Sequence, residues 1–250
     1  FRTEFTEGSI PNWHCPRCLI GILKLKSDSF CFWDSSDTRN CRDQDFFSYE
    51  HVKYTFNGNL FCNHCSETIV FCGTGYVDEI YDRYSDGNPN TPSQYVNIFT
   101  PKYFFPPLHI IELPKNQSMS AEIEKIVNKA FEIYWCDADA CSTRIRTTLE
   151  LALERIDGKP LDKNGNPLKL HQRLEKINGK VSRNAEKLMM AIKWSGNAGA
   201  HEFDGITTEQ VLDAFEMLEF CLKEIYPSED NLNELLEIAT EINEKNRPSR

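Results

Sequence analysis

Two pairs of cysteines near the start of the chain have the spacing of metal-binding turns. They are Cys15-Pro-Arg-Cys18 and Cys62-Asn-His-Cys65. Each such turn, or knuckle, directs two thiolates toward one ion, so two knuckles complete a tetrahedral set of sulfur ligands. In a chain of 250 residues this pattern indicates a metal site rather than a disulfide framework. It predicts one structural zinc with Zn–S distances of about 2.3 Å, bound by Cys15, Cys18, Cys62 and Cys65.

The residues around both knuckles predict short strands, and a knuckle beside a strand is the pattern of a zinc ribbon. The 43 residues between Cys18 and Cys62 make this ribbon longer than usual, so it must carry an insertion. Other cysteines and histidines of the same region leave two alternatives open, a second metal site or ordinary buried and surface residues. These are Cys31, Cys41, Cys72, His51 and His64.

A second group of residues that could take part in catalysis follows an apolar run in the C-terminal half. The run begins at Leu188 and leads to Gly196, Asn197, Gly199 and His201. An apolar helix that ends in a small-residue turn would place the His201 imidazole at a helix junction. The alternative is that Gly196 and Asn197 simply stop the helix and that His201 forms a structural hydrogen bond.

Composition limits the possible classes of protein. The chain has 28 Lys and Arg against 38 Asp and Glu, a net charge of −10, which excludes a protein that coats DNA with its whole surface. The sequence, which begins at Phe1, predicts neither a secretory leader nor a membrane-spanning segment. Seven of the ten cysteines precede residue 73. Free cysteines and a metal site predict a reducing compartment, the cytoplasm.

The first 113 residues have the features of a β-rich region. Strands are predicted over 19–26, 30–33, 46–56 and from Thr68, directly after the second knuckle. Asn57-Gly58 predicts a hairpin turn, because both residues tolerate positive φ. Residues 85–93 predict a polar loop, and the proline-rich stretch 101–114 predicts an extended connector.

The remainder predicts helices joined by short loops, which together form an antiparallel bundle. Ser118 or Ser120 caps a helix to about Cys136, and Asp137 caps one to about Ile156. Further helices are predicted at 169–178, 182–195, 207–225 and 231–246, and Thr207 or Thr208 caps the third of these. Charge is segregated in this region: residues 169–193 carry seven cations and two carboxylates, and 202–241 carry twelve carboxylates and one lysine. This is either a solvated surface, or a basic side that meets phosphate or the acidic side of a second copy.

Four stretches together carry a resemblance to a family. They are the zinc-ribbon start, the connector with Pro101-Lys-Tyr-Phe-Phe-Pro-Pro-Leu108 and Ile111-Glu-Leu-Pro114, the stretch Arg146-x-x-Leu149-Glu150, and Ile192-Lys-Trp-Ser-Gly-Asn-Ala-Gly-Ala-His201. The chain resembles an uncharacterised bacterial family with an N-terminal zinc ribbon and a C-terminal helical domain similar to the HEPN superfamily. The resemblance implies a multidomain α+β protein: a zinc-ribbon domain at 1–113, an antiparallel HEPN-like bundle at 114–227, and an amphipathic helix or tail at 228–250.

Many HEPN proteins are metal-independent ribonucleases of toxin and phage-defence systems, and many are dimers with a shared active site. Their signature is an arginine and a polar residue shortly before a histidine. His201 matches the histidine, Asn197 matches the polar position, and Gly196 stands where the arginine would be. The resemblance therefore implies that His201 transfers protons while Lys193 or Arg146 holds phosphate. For Arg146 the alternative is a helical i,i+4 pair with Glu150.

Two functions follow from this resemblance. The first is an RNA-directed effector or regulator of bacterial defence or toxin type, acting as a metal-independent endoribonuclease. The second is a non-catalytic dimerisation or adaptor module that binds nucleic acid or a protein partner. The partners implied are a second copy bound through the helical domain, RNA, and a protein of a defence complex, with no membrane.

Overall fold

The computed structural model describes residues 4–80, 94–177, 179–201, 205–227 and 238–240, excluding the side chains of 27, 80, 94 and 197–201. The chain is a mixed α+β protein that divides into two compact units, Phe1–His109 and Ile110–Arg250. The first contains β1 (Leu23–Leu25), β2 (Cys31–Asp34), α1 (Ser36–Cys41), β3 (Lys53–Cys62), β4 (Thr68–Ile80) and β5 (Gln94–Phe105). The second contains α2 (Ala121–Ile133), α3 (Ala138–Ala152), α4 (Glu154–Asp157), α5 (Leu170–Lys176), α6 (Arg183–His201) and α7 (Thr208–Ile225).

The first unit is an antiparallel sheet in the order β1-β3-β4-β5, with β2 paired to another part of β3. Alternate side chains of its strands are buried, as expected for a sheet that covers a core with one face. That core is aromatic, and its rings meet mostly edge to face or tilted at centroid distances of 5.0 to 6.4 Å. Its members are Phe5, Trp13, Phe30, Phe56, Phe71, Phe99 and Phe104.

The predicted hairpin turn at Asn57-Gly58 is wrong, because both residues lie inside β3. Close packing explains the glycine at position 58. A Cβ on it would lie 2.9 Å from a ring carbon of Phe71 and 3.1 Å from one of Phe30. The chain reverses instead at the second knuckle, between the end of β3 at Cys62 and the start of β4 at Thr68. The metal-binding turn is therefore also the hairpin turn.

Two other strand predictions need correction. Residues 46–51 are turn and 3-10 helix rather than strand, so β3 begins only at Lys53. Residues 101–105 belong to β5 rather than to a connector. Pro101 is accommodated at an irregularity, where the β4–β5 register shifts between Cys72 and Gly73. The predicted polar loop at 85–93 lies outside the described residues.

In the second unit, α3 packs against α2, α6 and α7. The predicted caps are confirmed at Ser120, Asp137 and Thr207, whose side chains accept hydrogen bonds from Ile123, Ala140 and Gln210. The helix predicted to reach Ile156 is interrupted after Ala152 and resumes as α4. Among the described residues, no helix is long and apolar enough to cross a membrane. The predicted last helix, 231–246, lies outside them except for 238–240, which are helical.

The predicted turn at Gly196 is also wrong, because α6 continues without a break to His201. Glycine inside a helix costs about 1 kcal/mol relative to alanine, so its presence calls for a local reason. The reason is close packing, since Gly196 is buried beneath the side chain of Arg146 from α3.

Candidate metal centre

The four predicted cysteines lie together in the first unit, with all their sulfur atoms within 4.8 Å of one another. Cys15 Sγ is 3.6 Å from Cys65 Sγ, and Cys18 Sγ is 3.6 Å from Cys62 Sγ. A tetrahedron of sulfurs about 2.3 Å from a central zinc has edges of about 3.8 Å. The distances and the donor set therefore fit one tetrahedral metal ion.

Backbone amides point at two of the sulfurs. Gly21 N–H donates to Cys18 Sγ at 3.3 Å, and the amides of His64 and Cys65 donate to Cys62 Sγ at 3.3 and 3.4 Å. Amide donors stabilise the charged form of a thiol. At Cys18 these donors favour the thiolate, which is the form that binds a metal.

Two ligands have opposite pKa shifts. The Gly21 and Ile20 amides lower the pKa of Cys18 to about 6, whereas burial raises the pKa of Cys15 to about 12. Burial penalises a lone thiolate, and a bound dication removes that penalty because it deprotonates a coordinating thiol outright. The buried Cys15 ligand therefore depends on the cation for its charge.

The two knuckles share one backbone design. Leu19 and Ser66, each directly after the second cysteine of its knuckle, have φ of 58° and 62°. The amides of these residues donate to the carbonyl oxygens of Cys15 and Cys62, at 2.9 and 3.1 Å. A non-glycine residue with φ in the left-handed region is uncommon. Because it occurs at the same place in both knuckles, the turn itself requires this backbone conformation.

Hydrogen bonds and an ion pair between the two knuckles fix their relative position. Asn63 N–H donates to Ile22 O at 3.2 Å, and Ile22 N–H donates back to Asn63 Oδ1 at 2.9 Å. Arg17 in the first knuckle pairs with Glu67 after the second at 2.6 Å. These contacts were not predicted, because no sequence pattern shows which residue of one knuckle faces the other.

Gly21 is another residue that the sequence interpretation missed. A Cβ on Gly21 would lie 2.3 Å from Cys62 Sγ and 2.8 Å from His64 Cβ. Only glycine lets the first knuckle approach the second this closely. The available signal was a glycine three residues after Cys18.

No second metal cluster is found in the described part of the chain, where the four cysteines form the one group of three or more metal-ligating residues. His51 instead completes a local cap, accepting from Ser48 N–H through Nδ1 at 3.2 Å. A centre with four protein ligands is closed, because it has no open position for water or substrate. The arrangement is that of a structural metal site.

The candidate catalytic residues lie in the second unit, on α3 and α6. Arg146 Nε donates to Glu150 Oε1 at 3.1 Å, so the predicted i,i+4 pair is present. The Arg146 side chain also crosses Gly196, where a Cβ would lie 2.7 Å from Arg146 Cβ and 2.9 Å from Arg146 Cδ. The Arg146 side chain therefore lies beside Gly196 on α6, and its Nε is engaged by Glu150 on α3.

The other candidates occupy α6. Lys193 is one turn before Gly196, is only 7% exposed, and has its Nζ 3.4 Å from the ring centroid of Trp194. Asn197 and His201 lie one turn apart in the same helix, and their side chains are outside what the structure describes. Two members of the basic stretch, Arg173 and Lys193, are buried, so that stretch is not simply a solvated surface.

Comparison with known families gives two partial matches. Residues 3–104 match a family described as a domain of unknown function (DUF8608), and residues 128–245 match a second one (DUF4145). The first range contains all four clustered cysteines, and the second contains Arg146, Lys193 and His201. Both matches support the expectation of an uncharacterised family. Neither the curated proteins nor the solved structures give a match.

Proposed function

We propose that the protein is a zinc-stabilised, RNA-directed effector or regulator of bacterial defence or toxin type. Its helical domain, HEPN-like in character, is a metal-independent endoribonuclease in this proposal. The observation that carries it is the placement of Arg146 across Gly196. The guanidinium missing from the signature position is supplied from the neighbouring helix, close to the helix that carries Asn197 and His201.

Zinc is the metal we assign to the four-cysteine centre. Tetrahedral thiolate sites favour zinc or iron, and a closed set of four sulfurs, all within 4.8 Å of one another, favours a single structural zinc. Elemental analysis of protein purified without chelator tests this assignment, with about one zinc per chain expected. Iron at that stoichiometry contradicts it.

In the proposed reaction, His201 takes the proton from the ribose 2′-OH as general base. The 2′ oxygen attacks the adjacent phosphorus and expels the 5′ oxygen of the next nucleotide. The leaving oxygen takes a proton from water, and the His201 imidazolium returns its proton to the solvent. Arg146 stabilises the charge that develops on the phosphate oxygens. The products are a 2′,3′-cyclic phosphate and a free 5′-hydroxyl.

Lys193 is the second cation of this site. Lysine is rarely buried without a paired charge. No ion pair of Lys193 is found in the part of the chain that the structure describes, and its ammonium group instead contacts the Trp194 ring. An anion bound beside α6 would offset the cost of burying this charge. Lys193 acts as a point charge, whereas Arg146 can bind phosphate through two parallel hydrogen bonds.

RNA cleavage in EDTA tests the catalytic proposal, since the chemistry uses no catalytic metal. His201→Ala is expected to lower the rate by about two to four orders of magnitude. Arg146→Ala is expected to lower it by about two to three orders, the range for loss of one stabilising donor. Arg144→Ala, an exposed arginine on the same helix, is the matched control and leaves the rate unchanged. Cleavage that persists in His201→Ala contradicts the proposal.

The second candidate function is a non-catalytic dimerisation or adaptor module that binds nucleic acid or a protein partner. The Arg146–Glu150 pair favours it, because a guanidinium engaged by a carboxylate is less available to phosphate. Under this function neither His201→Ala nor Arg146→Ala alters any RNA cleavage, while binding of the partner is retained.

Assembly and location complete the proposal. We place the protein in the cytoplasm, which is consistent with ten cysteines of which none forms a disulfide. We also propose a homodimer through the helical domain, for which exposed Trp194 on α6 and Phe220 on α7 offer apolar surface. Light scattering at micromolar concentration tests this, and a monomer mass contradicts it.

A further inference from the structure

The sheet of the first unit has large apolar side chains on both faces. One face covers the aromatic core, and the other faces solvent. On the solvent-facing side Phe105 is 77% exposed, Tyr103 57% and Trp33 54%. Single exposed rings are ordinary, but several on one face of a sheet mark an interaction surface. We call this set the outer aromatic face, and it consists of Trp33, Phe61, Val70, Tyr103 and Phe105.

The strand register shows that these residues share one face. Val70 is paired with Phe105, and Cys72 is paired with Tyr103 on the adjoining row. Directly paired residues and their i+2 neighbours lie on the same side of a sheet. Trp33 lies on the same face because it is paired with Thr55, an outward residue of β3. The set thus extends across four strands, with rings on β2, β3 and β5 and Val70 on β4.

Uncharged hydrogen-bonding groups separate the rings. Thr55, Asn57 and Asn59 occupy successive outward positions of β3, and Thr74 lies opposite Thr55 on β4. Asparagine and threonine side chains both donate and accept hydrogen bonds, which matches the mixed edges of nucleobases. A face that buried itself against an apolar protein partner would leave these groups without partners.

The charge of this face is opposite to that of the whole chain. Lys24 is paired with Phe61 at one end, Lys53 is paired with Tyr76 at the other, and both lysines are exposed. No carboxylate occurs among the described outward positions between these two ends. At the Lys53 end the Tyr76 hydroxyl donates to the exposed carboxylate of Glu4 at 3.4 Å, so the cationic part of this face is the Lys24 end. In a chain with a net charge of −10, that end and the uncharged stretch beside it are the part that can approach a polyanion.

We propose that the outer aromatic face binds single-stranded RNA. Bases stack on Trp33, Tyr103 and Phe105, and the phosphates pass near Lys24. Rings on a sheet are a sequence-tolerant stacking platform for unpaired bases. The choice of RNA over DNA rests on the proposed function, whereas the stacking surface itself does not depend on His201 or on cleavage.

Fluorescence anisotropy of the full chain with labelled oligouridine of about 12 nucleotides tests the proposal, in both wild-type and His201→Ala backgrounds. Phe105→Ala and Trp33→Ala are each expected to weaken binding about tenfold, the usual loss for one stacking ring. Phe46→Ala is the matched control, because Phe46 is a 61% exposed ring of the same unit outside the sheet. Lys24→Glu should also lower the salt dependence of binding, while Lys125→Glu, at an exposed lysine of α2 in the helical unit, should not.

Zinc content and near-ultraviolet circular dichroism equal to the wild type establish that each variant is folded. Binding in Phe105→Ala and Trp33→Ala that equals binding in Phe46→Ala overturns the proposal. So does a switch from dimer to monomer in Phe105→Ala without loss of RNA binding, since the face would then be a contact between copies. Equal affinity for oligothymidine overturns the assignment to RNA. Loss of cleavage in His201→Ala with binding retained separates this proposal from the catalytic one.

Discussion

The side chain of Arg146 on α3 lies directly across Gly196 on α6. The contact involves the Cβ and Cδ atoms of the arginine, so it is made by the base of the side chain as well as by its flexible part. Because Gly196 has no side chain, the two helices approach closely at this point. Beyond this contact the guanidinium pairs with Glu150 on α3, through Nε at 3.1 Å.

Gly196→Ala is expected to destabilise the helical unit by about 1–3 kcal/mol, the range for overpacking. The added Cβ would meet Arg146 Cβ at 2.7 Å, and this outweighs the gain of about 1 kcal/mol in helix propensity. Chemical denaturation measures the effect. In a double-mutant cycle, Arg146→Gly, which removes the clashing Cβ, should relieve most of the loss, whereas Arg146→Ala, which keeps it, should not. Gly8→Ala, with no atom within 4 Å of the added Cβ, should be neutral.

Gly21→Ala is expected to weaken metal retention. The new Cβ would lie 2.3 Å from Cys62 Sγ, so one knuckle must move away from the other and the ligand tetrahedron opens. Competition with a chromogenic chelator measures the rate of zinc release, which should rise by at least about tenfold, as for loss of a supporting contact around a metal. Release at the wild-type rate would show that the knuckles tolerate this displacement.

Cys15→Ser is expected to unfold the first unit and leave the helical unit folded. Structural zinc contributes about 10–16 kcal/mol of binding free energy that is coupled to folding. Calorimetry should show loss of one transition, while helical circular dichroism persists. Cys31→Ser, which changes an exposed cysteine outside the cluster, should keep both transitions. Unchanged unfolding of Cys15→Ser would mean that the sheet does not depend on the metal.

The helical unit is expected to lose stability at alkaline pH. Burial raises the pKa of Cys221 to about 12 and also raises the pKa of Cys141. Unfolded thiols ionise near pH 8.5, so above about that pH the unfolded state binds fewer protons than the folded state. The stabilising effect of the neutral thiols is therefore full below about pH 8.5 and is lost progressively above it.

Denaturation at about pH 8 and pH 10 measures this loss, expected at about 1–2 kcal/mol per buried thiol. In Cys221→Ala the difference between the two pH values should shrink, even though the cavity lowers stability at both. Cys136→Ala, at an exposed cysteine, should leave the difference unchanged. An equal alkaline loss in Cys221→Ala and the wild type would contradict the assignment.

The sequence by itself determined the features that depend on short spacing. Two residues between cysteines suffice to place both sulfurs on one side of a turn, so the four ligands were predicted without the fold. The helix caps at Ser120, Asp137 and Thr207 were likewise predicted, because a cap is a bond between residues three apart. The two knuckles are separated by 43 residues, and it is the sheet that brings them together.

Only the tertiary structure decided the role of the glycines and the register of the strands. The local sequence predicted turns at Gly58 and Gly196, yet each glycine lies inside a strand or helix. A side chain from another segment occupies the volume that a Cβ would need: Phe71 at Gly58 and Arg146 at Gly196. The outer aromatic face arises from pairings such as Val70 with Phe105. Such contacts depend on packing between segments far apart in the chain, which local propensity does not encode.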